Sequence, residues 1–140
     1  MDTGSLITSF LAAVGVGAIV DLERQAARHE DVTVGVRSFG LYALWGAASG
    51  FLGSQYGTGA FVAGAVVFGA LVIASYLGHS LTTGDWGTTT EAAALATYLA
   101  GVLVWLDEIV VALAVAVGTA AVLRAKAPLR SLIEIGRAHV

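Results

Sequence analysis

The sequence contains no cysteine and few charged side chains, and each scarcity excludes a class of protein. Without cysteine, the 140-residue chain forms neither a disulfide nor a thiolate metal site. Only 12% of its residues are charged, about half of the roughly 25% found in soluble domains. Seven basic residues against ten acidic ones, with no basic patch, argue against a nucleic-acid partner.

What the chain has in abundance is apolar sequence. Hydrophobic residues make up 57% of it, and the mean hydropathy is +0.83. Residues 38–78 contain no charged side chain, and this run is about twice the roughly 20 residues that one membrane span needs. We therefore predict an all-α integral membrane bundle, with a break in this run at the polar, glycine-rich residues 54–59.

The uncharged segments predict five transmembrane helices. They cover residues 4–20, 38–53, 60–78, 91–106 and 109–124. Asp107 and Glu108 separate the last two spans as a tight hairpin. The alternative is one long helix through both residues, which would place two carboxylates near the bilayer centre at about 2.5 kcal/mol or more each.

The basic residues predict the orientation of these spans. Within residues 1–133 they lie only between the first two spans and after the fifth. The positive-inside rule makes both segments cytoplasmic, so the N-terminus is expected outside and the C-terminus in the cytoplasm. We predict a multi-pass protein of the cell inner (plasma) membrane, with the lipid bilayer as its surroundings.

The end of the sequence predicts a non-native tail. Residues 134–140 match the in-frame translation of a common sequencing adaptor, so they are excluded from functional interpretation. The five-span domain is then residues 1–133, and the native sequence is expected to differ beyond Ile133.

Charged residues gather where the first two spans face each other. Asp21, Glu23 and Arg24 follow the first span, and Arg37 precedes the second. A helical hairpin brings these ends together, which places Glu23 to pair with Arg37. The simpler interpretation is ordinary flanking charge that sets orientation.

Four glycines form one stripe on the second span. Gly46, Gly50, Gly53 and Gly57 recur at helical spacing, and small residues allow membrane helices to approach closely. Packing within one chain is the favoured interpretation, and a homo-oligomer interface is the alternative.

A polar segment precedes the fourth span. Thr88, Thr89, Thr90 and Glu91 have the form of a capping box, in which Thr88 and Glu91 exchange hydrogen bonds. A ligand or proton site is the alternative. The sequence contains no nucleophile elbow, phosphate loop or zinc spacing, so we predict no enzymatic activity and assign no metal ligands and no cofactor.

Three of these segments carry a family resemblance. Gly-Ala-Ile-Val-Asp-Leu-Glu-Arg at residues 17–24 and Gly-Val-Arg-Ser-Phe at residues 35–39 resemble the first transmembrane hairpin of the MgtC/SapB family. Gly-Thr-Thr-Thr-Glu at residues 87–91 is similar to the family's Gly-Leu-Thr-Thr-Glu. The chain looks closest to the branch that carries a second membrane domain of unknown function. It departs from the family at Asp21, where Gly is usual, and at Thr88, where Leu is usual.

The resemblance implies a regulatory or accessory role in magnesium homeostasis. It also implies a functional charged cluster of Glu23, Arg24, Arg37 and Glu91, to which we add Asp21 as an acidic group beside it. A membrane partner such as the ATP synthase is part of that expectation. The alternatives are an oligomeric cation transporter or channel subunit, and a truncated fragment of a larger two-domain membrane protein.

Overall fold

The computed structural model describes residues 2–28 and 38–138, and the regular secondary structure of these residues is entirely helical. The elements in chain order are α1 (Thr3–Arg28), α2 (Ser38–Tyr56), α3 (Thr58–Thr83), α4 (Thr89–Trp105) and α5 (Ile109–Ala138). The all-α prediction is confirmed. By length and composition, the segments Thr3–Ala26 and Thr58–Thr83 are long and apolar enough to cross a membrane, and the apolar segments Thr89–Trp105 and Ile109–Ala125 are shorter.

The three breaks between α2 and α5 each contain a residue with positive φ. Gly57, at φ 90°, separates α2 from α3 inside the predicted polar cluster. Gly84, at φ 72°, ends α3, and its N–H donates to the carbonyl of Ser80 at 2.9 Å. Glycine adopts this conformation without a steric penalty. Asp107, at φ 63°, turns the chain between α4 and α5, so one long helix through Asp107 and Glu108 is excluded.

Charge does not end the helices where the predicted spans end. α1 continues past residue 20 to Arg28, and α5 continues past residue 124 to Ala138. Glutamate and arginine are good helix formers. The charged residues after the first apolar run, Asp21, Glu23 and Arg24, therefore continue α1 beyond the predicted span of residues 4–20.

Four helices form a ring and the fifth lies outside it. α1 packs against α2 and α5, α4 packs against the same two helices, and α1 also touches α4 across the ring. α3 contacts only α2 and, less extensively, α4 among the described elements. The contact between α2 and α4 is the most extensive in the bundle.

Small side chains bring these helices together. Fully buried alanines line the interior at Ala13, Ala43, Ala47, Ala100, Ala112 and Ala116. A Cβ atom at Gly46 would overlap the carbonyl oxygen of Tyr98, and one at Gly101 would overlap that of Ala43. The backbones of α2 and α4 therefore approach as closely as glycine permits.

The rest of the glycine stripe also faces helices of the same chain. A Cβ at Gly50 would lie 2.6 Å from the Trp105 ring, and one at Gly53 would lie 2.9 Å from the Cβ of Phe61. Gly57 is different, because a Cβ there would meet no atom within 4 Å, and its positive φ provides the turn. Gly46, Gly50 and Gly53 are thus occupied by packing inside the chain.

Candidate functional site

One end of the bundle collects the charged side chains that the sequence singled out. Here residues 21–24 of α1 and Arg124 of α5 lie at the same end as the first turns of α2 and α4. We call this the charged end, and it is formed by Asp21, Glu23, Arg24, Glu91 and Arg124. Arg37 lies outside the described residues. The opposite end is aromatic, with ring centroids 5.4–6.2 Å apart among Phe10, Phe51 and Trp105.

Asp21 joins α1 to the start of α2. Its Oδ2 accepts the backbone N–H of Phe39 at 3.1 Å and that of Gly40 at 3.3 Å. The first N–H groups of a helix have no partner within it, and a carboxylate also suits the positive end of the helix dipole. Because Asp21 is 0% exposed, it acts as a buried cap supplied by a neighbouring helix.

Arg24 lies one turn beyond Asp21 on α1. Its guanidinium carbon is 5.5 Å from the centroid of the Phe39 ring, within the range of a cation–π contact. It also attracts the carboxylate of Asp21 electrostatically. Asp21 therefore binds the backbone of the first turn of α2, and Arg24 contacts the Phe39 side chain of the same turn.

Glu23 pairs with a residue near the other end of the sequence. Its Oε2 lies 3.6 Å from an Nη1 nitrogen of Arg124 on α5. The pair is exposed, with 39% of the Glu23 side chain and 72% of the Arg124 side chain accessible to solvent. The expected partner, Arg37, is outside the described residues, so that pairing stays a prediction.

Removing the Glu23–Arg124 pair is expected to change stability very little. Exposed ion pairs gain about 0–1 kcal/mol, because water screens both charges. A double-mutant cycle with Glu23→Gln and Arg124→Gln, followed by denaturant unfolding in detergent micelles, should give a coupling energy below about 1 kcal/mol. A coupling several times larger would show that the pair is shielded from solvent.

Glu91 does not form the capping box that its spacing predicts. Thr88 occupies the N-cap position of α4 at φ −102° and ψ 6°, and its side chain makes no capping hydrogen bond. An N-cap residue normally has an extended backbone, which directs its hydroxyl at the N–H groups of the first turn. The capping-box prediction is therefore wrong, and Glu91 is available for contacts elsewhere.

Glu91 instead lines a small cavity between α2, α3 and α4. The cavity has a volume of about 70 Å³, room for one or two water molecules. Its walls are formed by Tyr42, Leu71, Val72, Ser75, Thr90, Glu91 and Ala94. The Oε2 atom of Glu91 is buried and has no hydrogen-bond partner among the described residues. A buried polar atom without a partner is uncommon and calls for an explanation.

The three threonines before Glu91 have separate positions. Thr90 lines the cavity with Glu91. Thr89 lines a different, apolar cavity of about 330 Å³ between α4 and α5. Thr88 marks the start of α4. Only Thr90 therefore shares surroundings with the carboxylate.

An aromatic series links the Asp21 contact to the Glu91 cavity. The ring of Phe39, whose N–H bonds to Asp21, lies 5.4 Å from that of Tyr42, in an edge-to-face arrangement. Tyr42 lines the cavity and contacts Phe68, also at 5.4 Å, and Phe68 stacks on Tyr98 at 4.6 Å. Tyr42 therefore touches both the cap of α2 and the surroundings of Glu91.

Sequence reasoning missed Arg124 as a member of the charged end, and Tyr42 and Ser75 as residues that share the cavity with Glu91. Tyr42 and Ser75 lie within uncharged runs and carry no local signal. The sequence did carry a signal for Arg124, because the positive-inside rule places the basic residues after the fifth span on the same side of the membrane as Glu23. No group of three or more His, Asp or Glu residues suited to a metal ion occurs within residues 2–28 and 38–138.

The chain matches the MgtC family over residues 10–132, which is most of its length. No curated protein and no solved structure gives a significant match. The matched range contains all five helices in part or whole, together with every described residue of the charged end. The chain belongs to the MgtC family, whose members are membrane proteins linked to magnesium homeostasis.

Proposed function

We propose that this chain is a multi-pass protein of the inner membrane and has a regulatory or accessory role in magnesium homeostasis. In this proposal the N-terminus is outside and the charged end faces the cytoplasm, as the positions of the basic residues favour. The protein is not an enzyme, and its effect on ion balance is exerted through the state of the charged end.

The observation that carries the proposal is the unpartnered carboxylate oxygen of Glu91 in its small cavity. A charged group in apolar surroundings is costly unless it is paired, and ionisable groups within membrane bundles commonly mark functional sites. Asp21 also has a buried oxygen without a partner, Oδ1, but its Oδ2 caps α2, and Arg24 contacts the Phe39 ring of the same turn. Glu91 is therefore the acidic residue best placed to respond to a cation, a proton or a partner group.

The cavity suggests how such a response would spread. Its walls belong to three helices, and α3 packs only against α2 and α4 among the described elements. A group that pairs with Glu91 would change the contact of Ser75 on α3 with the rest of the bundle. A membrane partner such as the ATP synthase, which the family resemblance suggests, would then detect the position of α3.

The transport alternative has less support. An oligomeric channel assembled through the glycine stripe needs those glycines on an open surface. Gly46, Gly50 and Gly53 are close to Tyr98, Trp105 and Phe61 of the same chain.

The Glu91→Gln substitution tests the proposal in a strain that lacks the gene. Glutamine keeps the size of the side chain and removes its charge. We expect growth in low magnesium to fall to the level of the empty vector, with the amount of protein in the membrane unchanged. Growth curves and a membrane immunoblot provide the measurement.

The matched control is Glu108→Gln. Glu108 is an exposed glutamate in the turn at the opposite end of the bundle, so this variant should support normal growth. Full growth with Glu91→Gln at normal protein levels would refute a role for the Glu91 carboxylate.

A further inference from the structure

A large apolar groove runs between α2 and α3. Its volume is about 740 Å³, within the range of small-molecule sites. At its base, Ser49 and Gly64 bring the two helices together, since a Cβ at Gly64 would lie 2.5 Å from the Ser49 hydroxyl oxygen. The indole N–H of Trp45 donates to the carbonyl of Gly64 at 3.3 Å across this base. The groove is therefore held in shape by contacts on both helices.

The lining of the groove is suited to hydrocarbon. Small residues, Ala48, Ala60 and Ala63, give it depth, while Leu52 and Val67 form part of its walls. Among the described residues of the lining, polar side-chain groups come only from Tyr42, Trp45 and Ser49, and the Trp45 N–H is already bonded. A polar ligand would find few hydrogen-bond partners in such a groove.

The surroundings of α3 indicate what fills the groove. α3 has the most apolar window of the two candidate spans, with a mean hydropathy of 2.3, and only 11% of that window is buried against the rest of the chain. The helix lies on the outside of the ring. In a membrane protein such a surface faces lipid, so the groove opens sideways into the bilayer.

The length of the groove distinguishes a lipid chain from a protein helix. The lining runs from Leu41 to Leu52 on α2 and from Ala60 to Leu71 on α3, about 16 Å on each helix at 1.5 Å per residue. This is close to half of the roughly 30 Å hydrocarbon core, the share of one leaflet. A transmembrane helix from a second copy would cross the whole hydrocarbon core of the bilayer and would need a longer groove.

We propose that the groove between α2 and α3 binds one acyl chain of a membrane lipid. The chain lies against Ala48, Ala63 and Val67, and Trp45 borders it. Dispersion contacts with the fixed groove make this lipid exchange more slowly than lipids around the rest of the surface. The bound chain supports α3, which has few other contacts with the bundle.

Trp45 provides a direct probe of the site. The sequence contains three tryptophans, and the full-length Trp86→Phe/Trp105→Phe protein retains only Trp45. In detergent micelles we expect phosphatidylcholine with brominated acyl chains to quench its fluorescence, saturating at about one lipid per chain. The Ala63→Leu substitution fills the groove and should weaken this quenching about tenfold or more, because overpacking opposes binding.

The matched control is Ala70→Leu, an alanine on the exposed surface of α3 that does not line the groove. It should leave the quenching unchanged. Equal quenching in the Ala63→Leu and Ala70→Leu proteins would overturn the proposal. So would a stable dimer in which Trp45 is protected from the brominated lipid, since a second copy would then occupy the groove.

A second measurement does not depend on the tryptophan replacements. Native mass spectrometry of the protein with its own three tryptophans should detect one retained lipid per chain, and Ala63→Leu should lose it. Retention of the lipid by Ala63→Leu would count against the groove as its site.

Discussion

The Gly101→Ala substitution is expected to lower the stability of the folded chain by about 2–3 kcal/mol. The added Cβ would overlap the carbonyl oxygen of Ala43 and lie 2.7 Å from its carbonyl carbon. Both are backbone atoms of α2 and have no rotamer that relieves the overlap. The helices would have to separate, although both Ala43 and Ala47 are fully buried in this contact.

The loss of stability should come from the whole contact between α2 and α4 and not from one residue. α2 and α4 share the most extensive contact of the bundle, and Gly46 makes the reciprocal approach to Tyr98. Separating the helices removes packing along the whole contact, and residual cavities add to the cost. Unfolding of the purified protein by sodium dodecyl sulfate in mixed micelles, followed by circular dichroism, measures the change.

Gly69→Ala and Gly118→Ala are the matched controls. Neither glycine has an atom within 4 Å of the position that a Cβ would occupy. Alanine favours the helix by up to about 1 kcal/mol relative to glycine, so both controls should be neutral or stabilising. If Gly101→Ala is as stable as these variants, the backbones of α2 and α4 do not cross in direct contact at Gly101.

The glycines of α2 show which part of helix packing can be predicted from sequence and which part cannot. Their spacing on α2 correctly indicated close helix packing, since small residues at helical intervals have few other uses in a membrane helix. It could not identify the partner, because α3, α4 or a second copy would satisfy the same pattern. Only the folded structure identifies Tyr98 and Trp105 on α4 as the residues that face Gly46 and Gly50.

The breaks between helices were easier to predict than the side-chain contacts. Gly57 and Asp107 interrupt apolar runs, and both are residue types that tolerate positive φ. Glu91 shows the opposite case. Its local spacing from Thr88 suggested a cap, but the folded bundle places it against Ser75 and Tyr42 from helices far away in sequence. Tertiary contacts override a weak local preference of this kind.

The capping role of Asp21 was not predicted either, because its hydrogen-bond partners are distant in sequence. Its acceptor oxygen and the N–H groups of Phe39 and Gly40 are separated by 18 and 19 residues. From sequence, Asp21 was an added acidic group beside the expected charged cluster. In the structure it is the buried cap of α2.

Replacing Asp21 with alanine is expected to cost about 1–3 kcal/mol. Two buried N–H groups at the start of α2 would lose their acceptor, and water has little access to replace it. The effect should also be local. Hydrogen exchange of the Phe39 and Gly40 amides should become faster than in the parent protein, measured by mass spectrometry on a peptide that begins at residue 36 or earlier.

Asp21→Asn separates the hydrogen bonds from the charge. Asparagine retains one side-chain oxygen acceptor, so it should preserve most of the amide protection while losing the interaction of the charge with the helix dipole. Glu108→Ala, at the opposite end of the bundle, is the control and should leave the amides of Phe39 and Gly40 unchanged. Unchanged exchange in Asp21→Ala would contradict the capping role.

Comparison of Asp21→Asn with Glu91→Gln then separates the structural carboxylate from the responsive one. Both substitutions remove one negative charge from the charged end. If Asp21 acts as a cap, Asp21→Asn should fold and support growth in low magnesium, whereas Glu91→Gln should fold and fail. The opposite pattern, with growth lost in folded Asp21→Asn and kept in Glu91→Gln, would move the proposed functional site from the α2–α3–α4 cavity to the junction of α1 and α2.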